Sequence, residues 1–329
     1  LSEKVEIVVG FSRSPETRDN FSAETGISVV STLKELLARD DIEGVILTVP
    51  NEQHYPVALQ VAKAGKHVYT EKPIAHNLED GLAIEKLQKE YGVTVTVGHS
   101  ARLLGGVQEI KKRILNGELG KVGFFEANFS NERALELTPD TWRWYRDRAP
   151  GGPLSQLAIH MFDVVNYLGE TIVEASSIAS KLSPVGAEVD DQSMTLLKFS
   201  DGAIAYIGTC WTSPGIFALR VFGSKALIHY EIDFGTWDTP EKIKNSSTFY
   251  IQRGKDGFGK REVLSEPETN MFTAELDIFA ESCKSGQTSV LSAANGNEAV
   301  ACVYAALSSI DKNGVSVKLS EVMQSARNK

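Results

Sequence analysis

The apolar run Gly44-Val-Ile-Leu-Thr-Val49, the helical pattern over residues 53–64 and the shorter apolar run 67–70 decide the fold of the first part of the chain. Short runs rich in β-branched residues predict buried strands, and apolar residues recur at helical spacing between them. The alternation extends outward on both sides, with strands predicted at 5–11 and 93–98 and helices at 15–25, 31–39 and 77–91. Strands and helices that alternate over short loops predict a doubly wound parallel sheet.

The pattern changes after a predicted helix at 105–116. A long strand is predicted at 122–129, a helix at 154–168, and strands at 172–182, 191–199, 203–212, 217–222, 226–232 and 247–252. Helices at 268–284 and 292–312 and a strand at 315–319 complete the prediction. Asp201-Gly202, between two alternating runs, indicates a hairpin. We therefore predict two domains, an α/β domain over residues 1–103 and an α+β domain over 104–329 with a large, mostly antiparallel sheet.

Composition excludes several classes of protein. The 329 residues carry 34 Lys and Arg against 43 Asp and Glu, so a nucleic-acid partner is not expected. No apolar run approaches the roughly 18–20 residues of a membrane span, and we expect no membrane partner. The three cysteines are far apart and lack a C-x-x-C motif, which argues against disulfides and a cysteine-rich zinc site. We expect a cytoplasmic protein without a bound metal.

The beginning of the sequence shows no targeting segment, and its first strand pattern starts at Val5. The G-x-G-x-x-G motif that binds a dinucleotide pyrophosphate after the first strand of such sheets does not precede that residue. Gly254, Gly257 and Gly259 have the wrong order for this motif and are predicted to form a hairpin loop. The expectation is a chain that has lost its start, and an N-terminal signal lost with it would not be visible.

Polar residues follow each of three predicted strands of the first domain. Pro50-Asn51-Glu52-Gln53-His54 follows the first, Glu71-Lys72-Pro73 the second, and His99-Ser100-Ala101-Arg102 the third. Ligands bind beyond the carboxyl ends of the strands in a doubly wound sheet. Each segment alone is as easily a solvated loop, but the three together predict a binding site.

Ser12-Arg13 follows the first predicted strand, where an acidic residue would select NAD by binding the ribose 2′-hydroxyl. A hydroxyl and an arginine suit the 2′-phosphate of NADP instead. The alternative is a surface turn with an exposed arginine.

The predicted helix 154–168 follows Gly151-Gly152 and carries Gln156, His160 and Asp163 at spacings of four and three. In a regular α-helix these residues share one face, so the carboxylate could orient His160 as a proton carrier. The alternative is a structural histidine.

These segments together resemble a known family. Thr48-Val-Pro-Asn51 with His54, the run Ala64-Gly-Lys-His-Val-Tyr-Thr-Glu-Lys-Pro73, and Gly151-Gly152 with His160 and Asp163 are similar to the glucose–fructose oxidoreductase/inositol dehydrogenase (Gfo/Idh/MocA) family. The resemblance implies a Rossmann-type first domain and a nicotinamide-dependent enzyme acting on sugars, cyclitols or related alcohols. Gln156 departs from the family's usual acidic residue, and the family's first strand, Gly-rich loop and first helix have no counterpart.

The resemblance also implies roles for individual residues. Lys72 would stabilise the developing charge on the reacting oxygen, and His160 would take or return the hydroxyl proton. The predicted catalytic residues are Lys72, His160, Gln156 and Asp163. The predicted cofactor-binding residues, for NADP in preference to NAD, are Ser12, Arg13, Thr48, Pro50, Asn51, His54, Glu71 and Lys72. The predicted substrate-binding residues, for a sugar or polyol, are Lys72, His99, Arg102, Trp144, Arg146, Gln156 and His160.

Two alternatives remain open at the level of sequence: a non-catalytic relative that senses a dinucleotide or sugar, and an inactive fragment. The predicted strand 203–212 also carries apolar residues on both alternating faces, with Ala203, Ala205, Ile207 and Trp211 on one and Ile204 and Tyr206 on the other. An antiparallel sheet with one face in water should be polar on that face. We therefore predict a homodimer or homotetramer formed through the second domain's sheet.

Overall fold

The computed structural model describes residues 2–237, 239–255 and 260–328. Among the described residues the strands are β1 (Gly10–Phe11), β2 (Val29–Val30), β3 (Gly44–Leu47), β4 (His67–Glu71), β5 (Val95–Gly98), β6 (Val122–Ser130), β7 (Ile172–Ser180), β8 (Gln192–Phe199), β9 (Ile204–Cys210), β10 (Ile216–Gly223), β11 (Ala226–Ile232), β12 (Thr248–Arg253), β13 (Arg261–Val263) and β14 (Val317–Lys318).

The α-helices of the same residues are α1 (Pro15–Thr25), α2 (Leu33–Leu37), α3 (His54–Lys63), α4 (Leu78–Tyr91), α5 (Gly105–Leu115), α6 (Ile159–Leu168), α7 (Pro240–Ser246), α8 (Met271–Ser285), α9 (Ala293–Asp311) and α10 (Leu319–Arg327). Short 3₁₀ turns cover Asn51–Gln53, Ser100–Leu103, Arg133–Glu136, Trp142–Trp144 and Phe234–Thr236, and a π-helical turn covers Leu154–Ala158.

The chain divides into two compact units. The first comprises Leu1–His76, Asp80–Gly98 and Phe272–Ala294, and the second Asn77–Glu79, His99–Met271 and Asn295–Lys329. The predicted boundary after residue 103 lies near the crossing from Gly98 to His99, but the first unit also takes in 272–294 from the predicted second domain. The reason is pairing at the edge of β5, where Thr96 forms a bridge with Ser292 and the Val97 amide donates to the Leu291 carbonyl.

The first unit contains parallel strands, as predicted. Among its described residues β3, β4 and β5 pair in that order, and β1 pairs with β2. The first strand is shorter than the predicted 5–11, because β2 offers only Val29 and Val30 for pairing. Ile7, within the predicted strand, is 41% exposed. Helices α3 and α4 alternate with the three longer strands, which confirms the Rossmann-type pattern.

The second unit is built on one large sheet, which confirms the predicted architecture. Its described strands are ordered β13-β12-β11-β10-β6-β9-β8-β7-β14. The pairs are antiparallel apart from β6 with β9. Gly257 and Gly259 of the predicted hairpin loop lie outside the described residues, although the strands β12 and β13 that flank them pair antiparallel.

One face of the large sheet is buried and the other exposes apolar side chains. Phe125, Phe129 and Ile207 are no more than 2% exposed, as are Ala205 and Trp211. On the opposite face Ile178 pairs in register with Met194, and Leu196 with Tyr206. Of these, Ile178, Met194 and Leu196 are 62%, 45% and 55% exposed, and Ile204 on the same face is 51% exposed. The structure therefore has apolar side chains on both faces of β9, as predicted.

The predicted helix 154–168 begins differently from the prediction. Residues Leu154–Ala158 form a π-helical turn, and α6 begins only at Ile159. The turn follows Gly151 and Gly152, whose φ angles of 68° and 53° lie in the left-handed region that favours glycine. A Cβ on Gly152 would lie 2.1 Å from the Asp190 carbonyl oxygen, so no larger residue fits there. Within the described residues, none of the helices is long and apolar enough to cross a bilayer.

Candidate active site

The segment after β1 forms a tight turn into α1. Ser14 caps the helix by accepting from the Thr17 amide at 3.3 Å, and the Ser12 hydroxyl accepts from the Ser14 amide at 3.3 Å. Arg18 donates from Nη1 to the carbonyls of Ser12 at 2.6 Å and Arg13 at 3.2 Å. The Arg13 side chain is exposed. Sequence reasoning missed Arg18, although an arginine in the first turn after a cap residue is placed to reach back over such a loop.

His54 has a different environment from the one predicted for a cofactor ligand. It is 1% exposed, and its Nδ1 lies 2.9 Å from the Pro73 carbonyl and its Nε2 3.0 Å from the Val49 carbonyl. Burial lowers the pKa of His54 against the opposing effect of these carbonyls. Each ring nitrogen lies within hydrogen-bond distance of a backbone carbonyl, and the neutral ring can donate to one of them, so His54 bridges the loops that follow β3 and β4. Thr48 and Pro50 in the first of these loops are exposed, and Asn51 is half-buried.

Lys72 lies in the loop directly after β4. Its amide donates to Glu71 Oε2 at 3.2 Å, and the Lys72–Pro73 peptide bond is cis. Burial raises the pKa of Glu71, while Lys72 lowers it. The Lys72 side chain is half-buried. The carboxylate of Glu71 and the carbonyl contacts of His54 therefore fix this loop on both sides of Lys72.

A buried carboxyl group that sequence reasoning missed lies next to Glu71. Glu275, on α8, is 4% exposed, and burial together with Glu71 raises its pKa to about 8. Tyr69 is 2% exposed, and burial and Glu275 raise the pKa of its hydroxyl. A Cβ on Gly98 would lie 2.5 Å from that hydroxyl, so Gly98 is required for the close approach. A single glutamate on a helix is ordinarily solvated, so no sequence pattern points to the burial of Glu275.

In the second unit, Arg102 and Asp163 form a buried ion pair. Arg102 Nε donates to Asp163 Oδ2 at 2.8 Å and its Nη2 to Oδ1, and the side chains are 5% and 1% exposed. His99 Nδ1 lies 3.6 Å from Asp163 Oδ1 and is also buried. Burial lowers the pKa of Arg102, but Asp163 more than offsets this and raises it above its ordinary value.

This ion pair gives two of the predicted site residues partners within the chain. Arg102, predicted to bind substrate, directs its guanidinium at a carboxylate of its own chain. Asp163, predicted to orient His160, joins the segment after β5 to α6 through Arg102 and His99. A buried bidentate pair of this kind holds two elements in register.

The predicted row of Gln156, His160 and Asp163 spans two kinds of helix, with Gln156 in the π-helical turn and His160 and Asp163 on α6. Gln156 lies in the π-helical turn, accepts at Oε1 from Arg143 Nε at 3.4 Å and donates from Nε2 to Ser155 Oγ at 3.3 Å. His160 is 8% exposed, and its ring packs edge-on to Phe129 with centroids 5.4 Å apart. The spacing of 3.6 residues per turn assumed for this row does not apply to the π-helical turn, so it holds between His160 and Asp163 but not between Gln156 and His160.

The aromatic and basic segment before Gly151 is fixed to a neighbouring loop. Arg146 donates from Nε and Nη2 to the Glu188 carbonyl at 3.2 and 2.9 Å, and the Glu188 amide donates to the Trp144 carbonyl at 2.9 Å. Trp144 is half-buried, whereas Arg146 is exposed. Arg143 stacks its guanidinium on the Trp142 ring at 4.3 Å. In this segment Arg143 contacts Gln156 directly, whereas Trp144 and Arg146 contact Glu188 in the neighbouring loop.

Two family models match the chain. Residues 1–99 match "Oxidoreductase family, NAD-binding Rossmann fold", and residues 107–229 match "GFO/IDH/MocA C-terminal domain". The first match covers the strands that carry Lys72, and the second covers His160 and the first part of the large sheet.

Individual relatives agree with these matches. The 4-carboxy-2-hydroxymuconate-6-semialdehyde dehydrogenase of Sphingobium sp. is 31% identical over 71% of this chain and 70% of its own. The myo-inositol 2-dehydrogenase of Thermotoga maritima is 26% identical over 88% of this chain and 83% of its own. A crystal structure from Desulfitobacterium hafniense, named a candidate NADPH-dependent oxidoreductase, superimposes with a TM-score of 0.93 at 34% identity, covering 98% of this chain and 92% of that one. The chain therefore belongs to the GFO/IDH/MocA oxidoreductase family.

Proposed function

We propose that this protein transfers a hydride reversibly between a nicotinamide dinucleotide and a sugar, cyclitol or related secondary alcohol or ketone. The observation that carries the proposal is the position of Lys72, in a loop directly after β4 of an NAD-binding Rossmann unit and held there by Glu71 and His54. Ligands of such sheets bind beyond the carboxyl ends of the strands.

The residues of the first unit fit a dinucleotide. Ser12 and the exposed Arg13 lie in the turn into α1, where a hydroxyl and a cation suit a phosphorylated ribose. Thr48, Pro50 and Asn51 follow β3, and Glu71 and Lys72 follow the adjacent strand β4. These residues would hold the cofactor, which when bound donates or accepts the hydride.

Lys72 supplies the positive charge in the proposed reaction. Its ammonium group would hydrogen-bond the substrate oxygen and stabilise the negative charge that develops on it. Because Glu71 accepts from the Lys72 amide at 3.2 Å, the backbone that carries the ammonium group is fixed before substrate binds. Preorganisation of this kind lowers the cost of reaching the transition state.

His160 takes or returns the hydroxyl proton in the same proposal. An imidazole can both accept and donate a proton near neutral pH. The amide of Gln156, held by Arg143 and Ser155, cannot relay that proton. His160 therefore exchanges its proton without a neighbouring carboxyl at position 156. Asp163 would act as a positioning residue for α6 through its ion pair with Arg102.

The substrate class rests on relatives as well as on the site. The names of two relatives describe one enzyme acting on a cyclitol and another acting on a carboxylated semialdehyde. We propose that this chain acts on a polyhydroxylated carbon compound of similar size. Retention of both Lys72 and His160 favours an enzyme over a sensor, since a protein that only binds has no need of an acid–base pair.

We also propose a homodimer or homotetramer assembled through the exposed face of the large sheet. The support is the row of exposed apolar side chains on β7, β8 and β9, which in water would favour aggregation. Light scattering at micromolar concentration should detect a particle larger than the 35.9 kDa of one chain. A soluble particle of that mass would contradict the assembly.

The function is tested by following the absorbance of reduced nicotinamide with a panel of sugars, cyclitols and sugar acids and either NAD or NADP. We expect turnover with at least one member of the panel and binding of the dinucleotide by calorimetry. Dinucleotide binding without turnover on any compound would favour the sensor instead. An intact-mass measurement of the purified chain ensures that the protein assayed is the sequence described.

A further inference from the structure

Arg143 is a half-buried cation without a carboxylate partner among the described residues. Its Nε donates to Gln156 Oε1 at 3.4 Å, and its guanidinium carbon lies 4.3 Å from the centre of the Trp142 ring. The Nη groups make no hydrogen bond to any residue in the described ranges. The stacked ring and the amide fix the plane of the guanidinium, while the donors that bind anions stay available.

The charge of Arg143 is unfavourable in its present surroundings. Burial lowers the pKa of Arg143, and the nearby Arg133 lowers it further. Removing a cation from water without a counter-charge costs free energy that neither an amide nor an aromatic ring fully restores.

Two other arginines with poorly exposed side chains are neutralised by carboxylates of the same chain. Arg102, 5% exposed, pairs with Asp163, and Arg113, 18% exposed, pairs with both Glu109 and Glu118. Arg143 lacks a carboxylate partner among the described residues. Its contacts are the neutral amide of Gln156 and the ring of Trp142. A carboxylate at position 156 would neutralise Arg143, whereas the amide of Gln156, four residues before His160 in the chain, leaves the positive charge uncompensated.

We propose that Arg143 binds an anionic group of the substrate, a carboxylate or a phosphate, so that the chain acts on a sugar acid or a phosphorylated sugar in preference to a neutral polyol. The proposal rests on the proposed function for the reaction itself and adds the charge of the substrate. Arginine suits this role because its planar donors match both oxyanions bidentately.

The test is isothermal titration calorimetry of the full chain with matched probes. Glucuronate and glucuronamide share a shape and differ in charge, and glucose 6-phosphate and glucose form a second pair. We expect the wild type to bind the anion of at least one pair about 10-fold or more tightly than its neutral partner, the effect of one charge-assisted contact. The pair that shows the preference distinguishes a carboxylate from a phosphate substrate.

Three variants connect the preference to this site. Arg143→Gln should abolish it, and Gln156→Glu should reduce it by giving Arg143 a partner within the chain. Arg148→Gln is the matched control, because Arg148 lies in the same segment and also stacks on an aromatic neighbour, Tyr145, at 5.4 Å. This control should retain the preference of the wild type.

The proposal is overturned if neither anion binds better than its neutral partner, or if the preference survives in Arg143→Gln. Turnover of neutral polyols with no anion preference would leave the proposed function standing and remove this inference. Anion preference at Arg143 without any hydride transfer would support this binding site and count against the proposed function. Circular dichroism of each variant ensures that a lost preference does not reflect unfolding.

Discussion

Lys72 and His160 are placed by different kinds of contact. Around Lys72, the loops after β3 and β4 are joined by His54 through backbone carbonyls, and Glu71 accepts from the Lys72 backbone itself. Around His160, the fixed points are side chains, with Arg102 paired to Asp163 further along α6 and Arg143 to Gln156 before it. Backbone contacts depend on short local segments, whereas side-chain pairs depend on the path of the whole chain. The surroundings of Lys72 are therefore more predictable from sequence than those of His160. Substitution of a side chain around His160 changes its contacts more readily.

Breaking the buried ion pair tests the side-chain framework with the largest expected effect. Arg102→Ala leaves the Asp163 carboxylate buried without its partner, and we expect the free energy of unfolding to fall by about 3–5 kcal/mol in urea titrations. Arg39→Ala, which removes an exposed pair with Asp41, is the control and should cause a much smaller change. Equal effects of the two substitutions would mean that the Arg102 pair does not stabilise α6.

Removing the proposed catalytic groups tests both regions at once. Lys72→Ala and His160→Ala should each lower turnover by about 100-fold or more, because each removes charge stabilisation or proton transfer in the transition state. Lys63→Ala, on the exposed end of α3, should retain normal turnover. Near-normal turnover in either of the first two variants would remove that residue from the mechanism.

The cofactor preference tests the turn between β1 and α1. Arg13→Ala should weaken NADP binding relative to NAD by about 1.5–3 kcal/mol, since it removes a charge-assisted contact to the 2′-phosphate. Arg18→Ala should weaken both cofactors alike, because Arg18 binds the backbone of the turn. The measurement is fluorescence titration with each dinucleotide. An unchanged NADP to NAD ratio in Arg13→Ala would contradict the assignment.

The buried carboxyl beside Glu71 predicts a pH dependence of stability. The pKa of Glu275 rises from an ordinary value of 4.5 to about 8 in the folded chain, so between these values the native state holds a proton that the unfolded chain releases. Stability contributed by this group is fully present below about pH 4.5 and is lost as the pH rises to 8.

Glu275→Gln should therefore have a higher free energy of unfolding than the wild type at pH 8, by about 4 kcal/mol, and the difference should fall below about 1 kcal/mol at pH 5, both measured by urea titration. Glu24→Gln, exposed on α1, is the matched control and should follow the wild type at both values. If the difference between Glu275→Gln and the wild type were the same at pH 5 and pH 8, Glu275 would not titrate in this window.

Much of the first unit could be predicted from sequence because its signals are local. The apolar runs of β3, β4 and β5 and the loops after them lie where their patterns indicate. The prediction at 5–11 was too long because a strand needs a partner, and the length of β2 is set by residues that the local pattern does not include.

The contacts of the second unit could not be predicted in the same way. Arg102 and Asp163 are 61 residues apart in the chain, and their pairing depends on where α6 packs. The row of Gln156, His160 and Asp163 assumed a regular helix, which the π-helical turn interrupts. Glu275 becomes buried through the packing of α8 against β4, seen in the edge contact of Tyr69 with Phe279 at 5.7 Å. Each of these features depends on residues far apart in the chain, which local sequence patterns do not bring together.

The central claim is hydride transfer, and it is tested most directly by following deuterium from C4 of the reduced dinucleotide into the product. We expect the wild type, given keto sugars and ketocyclitols with and without a carboxylate, to form a product that mass spectrometry shows to carry the deuterium. Lys72→Ala should transfer the label about 100-fold more slowly, and Lys63→Ala at the wild-type rate. Product without deuterium, no labelled product from the whole panel, or transfer at the same rate in Lys72→Ala would contradict the account.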